Sequence, residues 1–475
     1  MSVYAPPPGS IPTLPVPSLE GVRRVHMIGI GGAGMRNLAR LFLARGVVVT
    51  GSDLKDSRGL AELSELGAQV RVGHDAASLG EPDVVVISSA IGPRNPELVA
   101  TRERGIEVWA RQQALAAFAA GHRAIAVAGT HGKTTTTSLL AVILEAAGVD
   151  PTYLIGGDLN ETGSGARSGA GDVFLFEADE SDGSFLLAPP SVGVVTNVEV
   201  DHVDFYPGGR EEIERAFATF MGRCEQVVAC GDDPGVRAAL AASGVSAMTY
   251  GTDPDNVLTV TEEQLGPDGA RGRLRMSGGA EVTLSLRIDG LHNLLNAAAA
   301  IGAASLVGVE PGVAADALRS FAGVHRRFEF RGEARGADFF DDYGHTPTEM
   351  AVTLQTARRR NPRRLVALVQ PHRYTRVQSL WRELGASLVE ADLIVITDVY
   401  GAAQEPIPGV TGALVADGVR AADPTANIVY LPHRQEILHY LDREVREGDL
   451  VVTMGCGDVW MLGDAALQRL RGLDR

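Results

Sequence analysis

The chain has 475 residues, 45% hydrophobic and 21% charged, which excludes disordered and fibrous classes and is too long for a single core. A formal charge of −16 argues against nucleic acid or an anionic membrane as partner, since either selects a basic surface, so any phosphate must be held locally. Cysteine occurs only at Cys224, Cys230 and Cys456, without the short spacing of a zinc or redox pair, which predicts buried, reduced thiols in a cytoplasmic protein.

Residues 1–20 lack a basic start followed by an apolar stretch, and their prolines predict an extended arm. No later run reaches the ~20 apolar residues of a membrane span. From residue 21 onward, short apolar strands alternate with glycine or polar turns and helical stretches, the pattern of α/β domains with parallel sheets. An alanine-rich helical run stopping at Gly121 and a second helix stopping at Gly323 divide the chain into domains of residues 21–120, 121–323 and 324–475.

The first strand, RRVHMIGI, opens into a turn carrying Gly29, Gly31, Gly32, Ala33 and Gly34, in which Gly29, Gly31 and Gly34 have the G-x-G-x-x-G spacing. Asp53 ends the next strand, VVVTGSD. Glycines there let the backbone approach a diphosphate at a helix N-terminus, and the acid is placed for a ribose hydroxyl, so the first domain reads as Rossmann-like. Taken alone, this pattern suggests a dehydrogenase.

The strand AIAVAG leads into GTHGKTTTT and a helix ending at Gly148. The strict phosphate-loop pattern fails at one position, where Val127 replaces glycine, but the strand-turn-helix context is right. Gly129, Thr130, His131, Gly132, Lys133, Thr134 and Thr135 are therefore candidate nucleotide contacts, with unpaired amides and the helix dipole facing the β- and γ-phosphates. The chain has only two lysines, Lys55 and Lys133, so a lysine kept at this turn implies a role that a guanidinium does not fill. The Thr134 hydroxyl suits a magnesium shell. Two further strands end in FEADESDGSF and TNVEVDHVDFY, which makes Glu177 and His202 metal candidates and Asp179, Glu180, Asp182 and Asp201 their neighbours.

These pieces, together with SSAI, NPE, GLHNLLNAAAAI, FAGVHRRFE, DDYGHTPTE, QPHRYTR and EPIPGV in this order, resemble the Mur ligase family, and within it the alanine-adding branch. The resemblance implies a third, C-terminal Rossmann-like domain and a first glycine turn that holds a UDP-sugar, with Ser88, Ser89 and Asn95, rather than a nicotinamide cofactor. It implies ATP on the central, P-loop ATPase-like parallel sheet, near His292, Asn293 and Asn296, and C-terminal contacts to ATP from Arg327, Asp342 and Tyr343. The lactyl carboxylate of UDP-N-acetylmuramate would attack ATP to form an acyl phosphate, which the amine of L-alanine would then open, with ATP and Mg2+ as cofactors. His345 would assist loss of the ammonium proton, while Arg373 and Arg376 would hold the amino-acid carboxylate.

Some relatives bridge two magnesium ions with a carbamylated lysine, and the absence of any lysine after Lys133 fits the alanine-adding branch. Thr346 stands where the family has a second histidine, and T-P-T-E reads as a capping box that Glu349 completes. Gly401, Ala402 and Ala403 before Gln404 depart from the family pattern, as does Arg36 where serine is usual. Three rival readings are a ligase that reattaches a stem tripeptide to the same UDP-sugar, a nicotinamide dehydrogenase, and a phosphate-loop switch. The oligomeric state is left open.

Overall fold

A computed structural model of the chain describes residues 15–472 apart from residues 89, 161–162, 182, 188 and 403. Ser89, Asp182, Ala403 and most of the expected arm therefore lie outside the described residues. Among the described residues the strands form three sheets.

The first sheet is wholly parallel, in the order Gln69–Val72, Val48–Asp53, Arg24–Ile28, Val84–Ile87 and Glu107–Ala110. Strand order reverses between Arg24–Ile28 and Val84–Ile87, and ligands of such sheets bind outside the carboxyl ends at that reversal. Both the turn at Gly29 and the SSAI segment begin there.

The second sheet has a parallel centre: Gln226–Cys230, Val192–Val195, Arg123–Ala128, Val173–Glu177 and Thr152–Leu154. Its far side continues through Met248–Gly251 and Leu258–Gly266 into Gly269–Met276 and Glu281–Leu286, the last two antiparallel. Sequence reading found none of these four strands. Along Gly269–Met276 buried Ala270, Gly272 and Leu274 alternate with exposed Arg271, Arg273 and Arg275, a half-buried pattern that a search for continuous apolar runs passes over.

The third sheet runs Glu329–Ala334, Ala337–Asp342, Asp449–Met454, Arg364–Val369, Leu393–Ile396 and Ile428–Tyr430, parallel except for the first pair. Its central strands are continuous apolar runs because helices cover both faces. Leu365, Ala367 and Val369 enter one buried cluster, and Val366 and Leu368 enter the other.

By compactness the chain forms two units, one reaching Gln264 and including Ala270–Ala322, the other comprising Leu265–Gly269 and everything from Gly323. The helix expected to stop at Gly323 is Pro311–Ala317, followed by a 3-10 turn over Leu318–Ser320, so the chain leaves helical geometry before that glycine. No helix among the described residues is long and apolar enough to cross a membrane.

Candidate active site

In the first unit each glycine turn is fastened to the end of a neighbouring strand. Asp53 Oδ2 accepts the Gly31 N–H at 2.9 Å, and a Cβ at Gly31 would lie 2.9 Å from that oxygen, so a side chain there would push the carboxylate off its bond. The Ser52 carbonyl accepts the N–H groups of Gly29 and Ile30 at 2.8 and 3.1 Å. Gly32 is the N-cap of the helix Ala33–Ala44, which Ala33 and Gly34 open, and no side chain caps it. The Ser88 N–H donates to the Ile28 carbonyl, which places Ser88 beside the turn. Asn95 caps the helix Pro96–Glu103, its Oδ1 accepting from Glu97 and Leu98 at 3.0 and 3.2 Å.

Beneath this turn lies a residue that sequence reading missed. Glu97 is fully buried, and its Oε2 accepts from Ser52 Oγ at 2.5 Å, with His26 Nε2 at 3.4 Å and His74 Nδ1 at 3.5 Å. Its Oε1 accepts the Asp75 N–H at 3.2 Å. Burial opposes its charge, but the bonds from His26 and Ser52 outweigh burial and hold the carboxyl below its usual range. Through His26 and Ser52 Glu97 ties the strands Arg24–Ile28 and Val48–Asp53 to the segment that follows Gln69–Val72.

The second turn joins Arg123–Ala128 to the helix Lys133–Ala146. Gly132 is the N-cap at φ 80°, without a side-chain cap, so the helix amides face the turn. A Cβ there would meet Asn296 Oδ1 at 2.8 Å, which places Asn296 of GLHNLLNA against the loop. Asn293 is tied back to the Asp289 carbonyl at 2.7 Å, and His292 packs over Gly290.

Thr130 and His131 serve to hold the loop. Asn197 Oδ1 accepts the His131 N–H at 2.7 Å, Thr196 Oγ1 donates to the His131 carbonyl, and Thr130 Oγ1 accepts the Glu199 N–H at 2.9 Å. The TNVE segment is thus a clamp on the loop, a role that sequence reading did not assign. Thr134 and Thr135 open the helix, Thr135 being buried.

Lys133 Nζ meets both Glu180 oxygens at 3.0 and 2.8 Å and the Gly129 carbonyl at 2.5 Å. Burial alone would discharge this ammonium, but Glu180, Asp179 and Glu177 hold its pKa above the usual lysine value. Against the desolvation that would raise it, Lys133, Arg111 and His202 pull Asp179 down to about 2.

Glu177 pairs in register with Val127 beside the loop, and its Oε1 accepts the Gly156 N–H at 2.7 Å. His202 sits at φ 51° with Nε2 3.4 Å from Asp201 Oδ2, and its buried Nδ1 has no hydrogen-bond partner among the described residues. Thr134, Glu177 and His202 supply a hydroxyl, a carboxylate and an imidazole, donors that fit a divalent cation whose remaining ligands are water and phosphate oxygens.

In the second unit the candidates gather at carboxyl ends of strands. Asp342 is a buried brace: its oxygens accept from Gly344 N–H at 2.7 Å, Phe328 N–H at 2.8 Å and Thr353 Oγ1 at 3.0 Å, and burial raises its pKa. Arg327 lies over the Tyr343 ring at 5.0 Å, as does its neighbour Arg326, which also pairs with Asp341 at 2.9 Å. Burial pushes the Tyr343 hydroxyl up to about 12.

His345 Nδ1 lies 3.1 Å from the Tyr343 carbonyl, and its ring is 5.5 Å from that of His372. Arg376, nearly fully buried, donates to His372 Nδ1 at 3.1 Å and to the His372 carbonyl at 3.2 Å. Arg373 is the N-cap of Tyr374–Ala386 at φ 63°. The capping box read from T-P-T-E is present, with Thr346 Oγ1 accepting the Glu349 N–H at 3.4 Å. Gln404, beyond the departing segment, binds the Thr375 N–H and hydroxyl at 3.2 and 2.9 Å and so braces the same helix start. His372 was missed as a site residue although it lies in QPHRYTR four residues before Arg376.

Three family models match the chain: the Mur ligase family catalytic domain over residues 24–123, the Mur ligase middle domain over 127–304, and the Mur ligase glutamate ligase domain over 326–457. The UDP-N-acetylmuramate–L-alanine ligase of Thermobifida fusca is 44% identical over 472 residues, covering 97% of this chain and 99% of that protein. Among solved structures, the UDP-N-acetylmuramate-alanine ligase of Thermotoga maritima superposes with a TM-score of 0.81 at 26% identity, covering 94% of this chain and 99% of that one. A murein peptide ligase from Psychrobacter arcticus superposes with a TM-score of 0.73 at 27% identity, covering 96% and 100%.

Proposed function

The chain belongs to the Mur ligase family, and from that membership we propose that it joins L-alanine to the lactyl carboxylate of UDP-N-acetylmuramate, with cleavage of ATP to ADP and phosphate. It is an ATP-dependent carboxylate-amine ligase of peptidoglycan precursor synthesis, and hence of cell-wall biogenesis, cell shape and division. We place it in the cytoplasm, where its nucleotide substrates are made. The observation that carries this reading is the presence of two uncapped strand-to-helix glycine turns in one compact unit. A dehydrogenase uses only the first and a phosphate-loop switch only the second. A ligase that activates a UDP-linked acid with ATP uses both.

The chemistry needs no enzyme nucleophile. The lactyl carboxylate attacks the γ-phosphorus, ADP leaves, the alanine amine adds to the acyl carbonyl, and phosphate departs from the tetrahedral intermediate. Rate comes from alignment and from charge placed in advance. The amides at the start of Lys133–Ala146 and the Lys133 ammonium meet the transferring phosphoryl group, and Glu180 keeps that ammonium charged and aimed. Thr134, Glu177 and His202 would hold magnesium, which when bound neutralises charge on the β- and γ-phosphate oxygens. Asn296 borders the same loop, and Arg327 is assigned to ATP.

In the second unit Arg376 and Arg373 are assigned to the alanine carboxylate. His345, oriented by the Tyr343 carbonyl, is assigned the ammonium proton at its Nε2. With Thr346 occupied in a helix cap, His345 carries that transfer without a second histidine.

Phosphate release from Mg-ATP tests the function directly when UDP-N-acetylmuramate is crossed against L-alanine, glycine, L-serine and a stem tripeptide. Release should require the UDP-sugar and be fastest with L-alanine. Release only with the tripeptide would assign the chain to the peptide-reattaching ligases.

A further inference from the structure

We propose that His345, His372 and Cys456 form a site for a thiophilic divalent cation, zinc by its chemistry, and that filling it arrests alanine addition. One ligand atom from each residue lies within 4.8 Å of the others, and all three side chains are partly accessible. They follow the carboxyl ends of three adjacent parallel strands, Ala337–Asp342, Asp449–Met454 and Arg364–Val369, with the Cys456 strand in the middle. Convergence of three loops from neighbouring strands fixes the donors before any metal arrives. The donors assigned to magnesium at the phosphate site are mostly oxygens with one imidazole, whereas two imidazoles and a thiolate select zinc and its softer relatives and leave a fourth position open.

The surroundings complete the donors. His345 Nδ1 donates to the Tyr343 carbonyl at 3.1 Å, the outer hydrogen bond that sets the tautomer of a metal-binding histidine and presents Nε2. His372 is stacked on Tyr400 at 5.8 Å, and Arg376 bonds its carbonyl as well as its ring, so the guanidinium keeps one anchor when the ring turns to a metal. Burial pushes the Cys456 thiol up to about 12, with Arg376 and Arg326 pulling against that rise and Glu349 adding to it. The thiol is therefore protonated at neutral pH, and a metal must release its proton to solvent. The two arginines oppose a cation, Glu349 favours it, and affinity rises with pH. The arrest rests on the ligase reading: a metal on His345 takes the lone pair assigned to the alanine proton, beside the arginine assigned to its carboxylate.

Cobalt(II) titration of the full chain tests the site without any activity. A thiolate charge-transfer band in the near ultraviolet with tetrahedral visible bands, saturating at one equivalent and displaced by zinc, is expected; it should persist in Cys224→Ala and vanish in Cys456→Ala, with His372→Gln losing at least about tenfold in affinity. No band in the wild type, or a band that survives Cys456→Ala, overturns the site. Circular dichroism of each variant shows whether a lost band reflects lost folding, and Cys456→Ser is the conservative replacement. In ligation assays with saturating Mg-ATP, zinc should inhibit the wild type reversibly to chelator and inhibit Cys456→Ala at least tenfold less. A cobalt band without zinc inhibition overturns the arrest, whereas a chain that binds cobalt but never ligates alanine overturns the functional reading and leaves the site standing.

Discussion

The candidate site of the first unit is built mainly of backbone, that of the second of side chains. In the first, two glycine turns offer amides at helix starts, and the side chains around them mostly hold the loops: Asp53 on Gly31, Asn197 and Glu199 on His131. In the second, rings and guanidinium groups from distant loops touch one another directly: Tyr343, His345, His372 and Arg376. Phosphates vary little, so amides at a fixed turn suffice for them. An amino acid must be told from its neighbours, which takes shaped side chains.

The largest expected effect breaks the backbone site at the Lys133 ammonium. Lys133→Ala should lower turnover on the order of 10³-fold or more while UDP-sugar binding by calorimetry stays unchanged. It also strands the buried Glu180 carboxylate, and adding Glu180→Gln should restore the unfolding midpoint but not the rate. Appreciable ligation by Lys133→Ala would mean the amides alone carry the phosphoryl group.

Next comes the brace beneath the first turn. Glu97→Gln should cost about 3 kcal/mol of stability at neutral pH and raise KM for the UDP-sugar more than it lowers kcat. Because the folded pKa of Glu97 is depressed, its contribution is present above the ordinary carboxylate range and is lost as pH falls through the folded value. The gap between wild type and variant in denaturant midpoints should therefore narrow below pH ~4. A gap that does not change with pH would mean the carboxylate is not stabilised by its histidines.

The side-chain site predicts a different split. Arg376→Lys should raise KM for L-alanine about 10- to 100-fold, because a point charge replaces the fork that binds His372, and leave KM for ATP unmoved. Equal changes in both constants would erase the distinction between the units. The smallest effect is Thr346→Ala, about 1 kcal/mol in the unfolding midpoint with alanine selectivity intact. A change in selectivity would give Thr346 a share in the site beyond its cap.

This contrast also explains what the sequence revealed. Backbone sites are local: glycine spacing, the strand before and the helix after all lie within about twenty residues, so both turns could be placed from RRVHMIGIGGAGM and AIAVAGTHGKT without a relative. The strands flanking them were equally legible, because burial on both faces writes a continuous apolar run. In the C-terminal cluster the resemblance supplied His345, Arg373 and Arg376, whereas His372 and Cys456 were missed, since His345, His372 and Cys456 are separated by whole strands and helices and meet only when the sheet order is known. Glu97 was hidden because an acid is ordinarily a surface residue, and nothing local tells that two histidines and a serine will surround it.

In the proposed mechanism ATP activates the lactyl carboxylate before alanine attacks. UDP-N-acetylmuramate labelled with oxygen-18 in that carboxylate, turned over with Mg-ATP and L-alanine, tests it by mass spectrometry of the released phosphate. An acyl phosphate leaves one carboxylate oxygen on the phosphate, so labelled phosphate should form in step with the amide product. Unlabelled phosphate alongside full ligation would contradict the account.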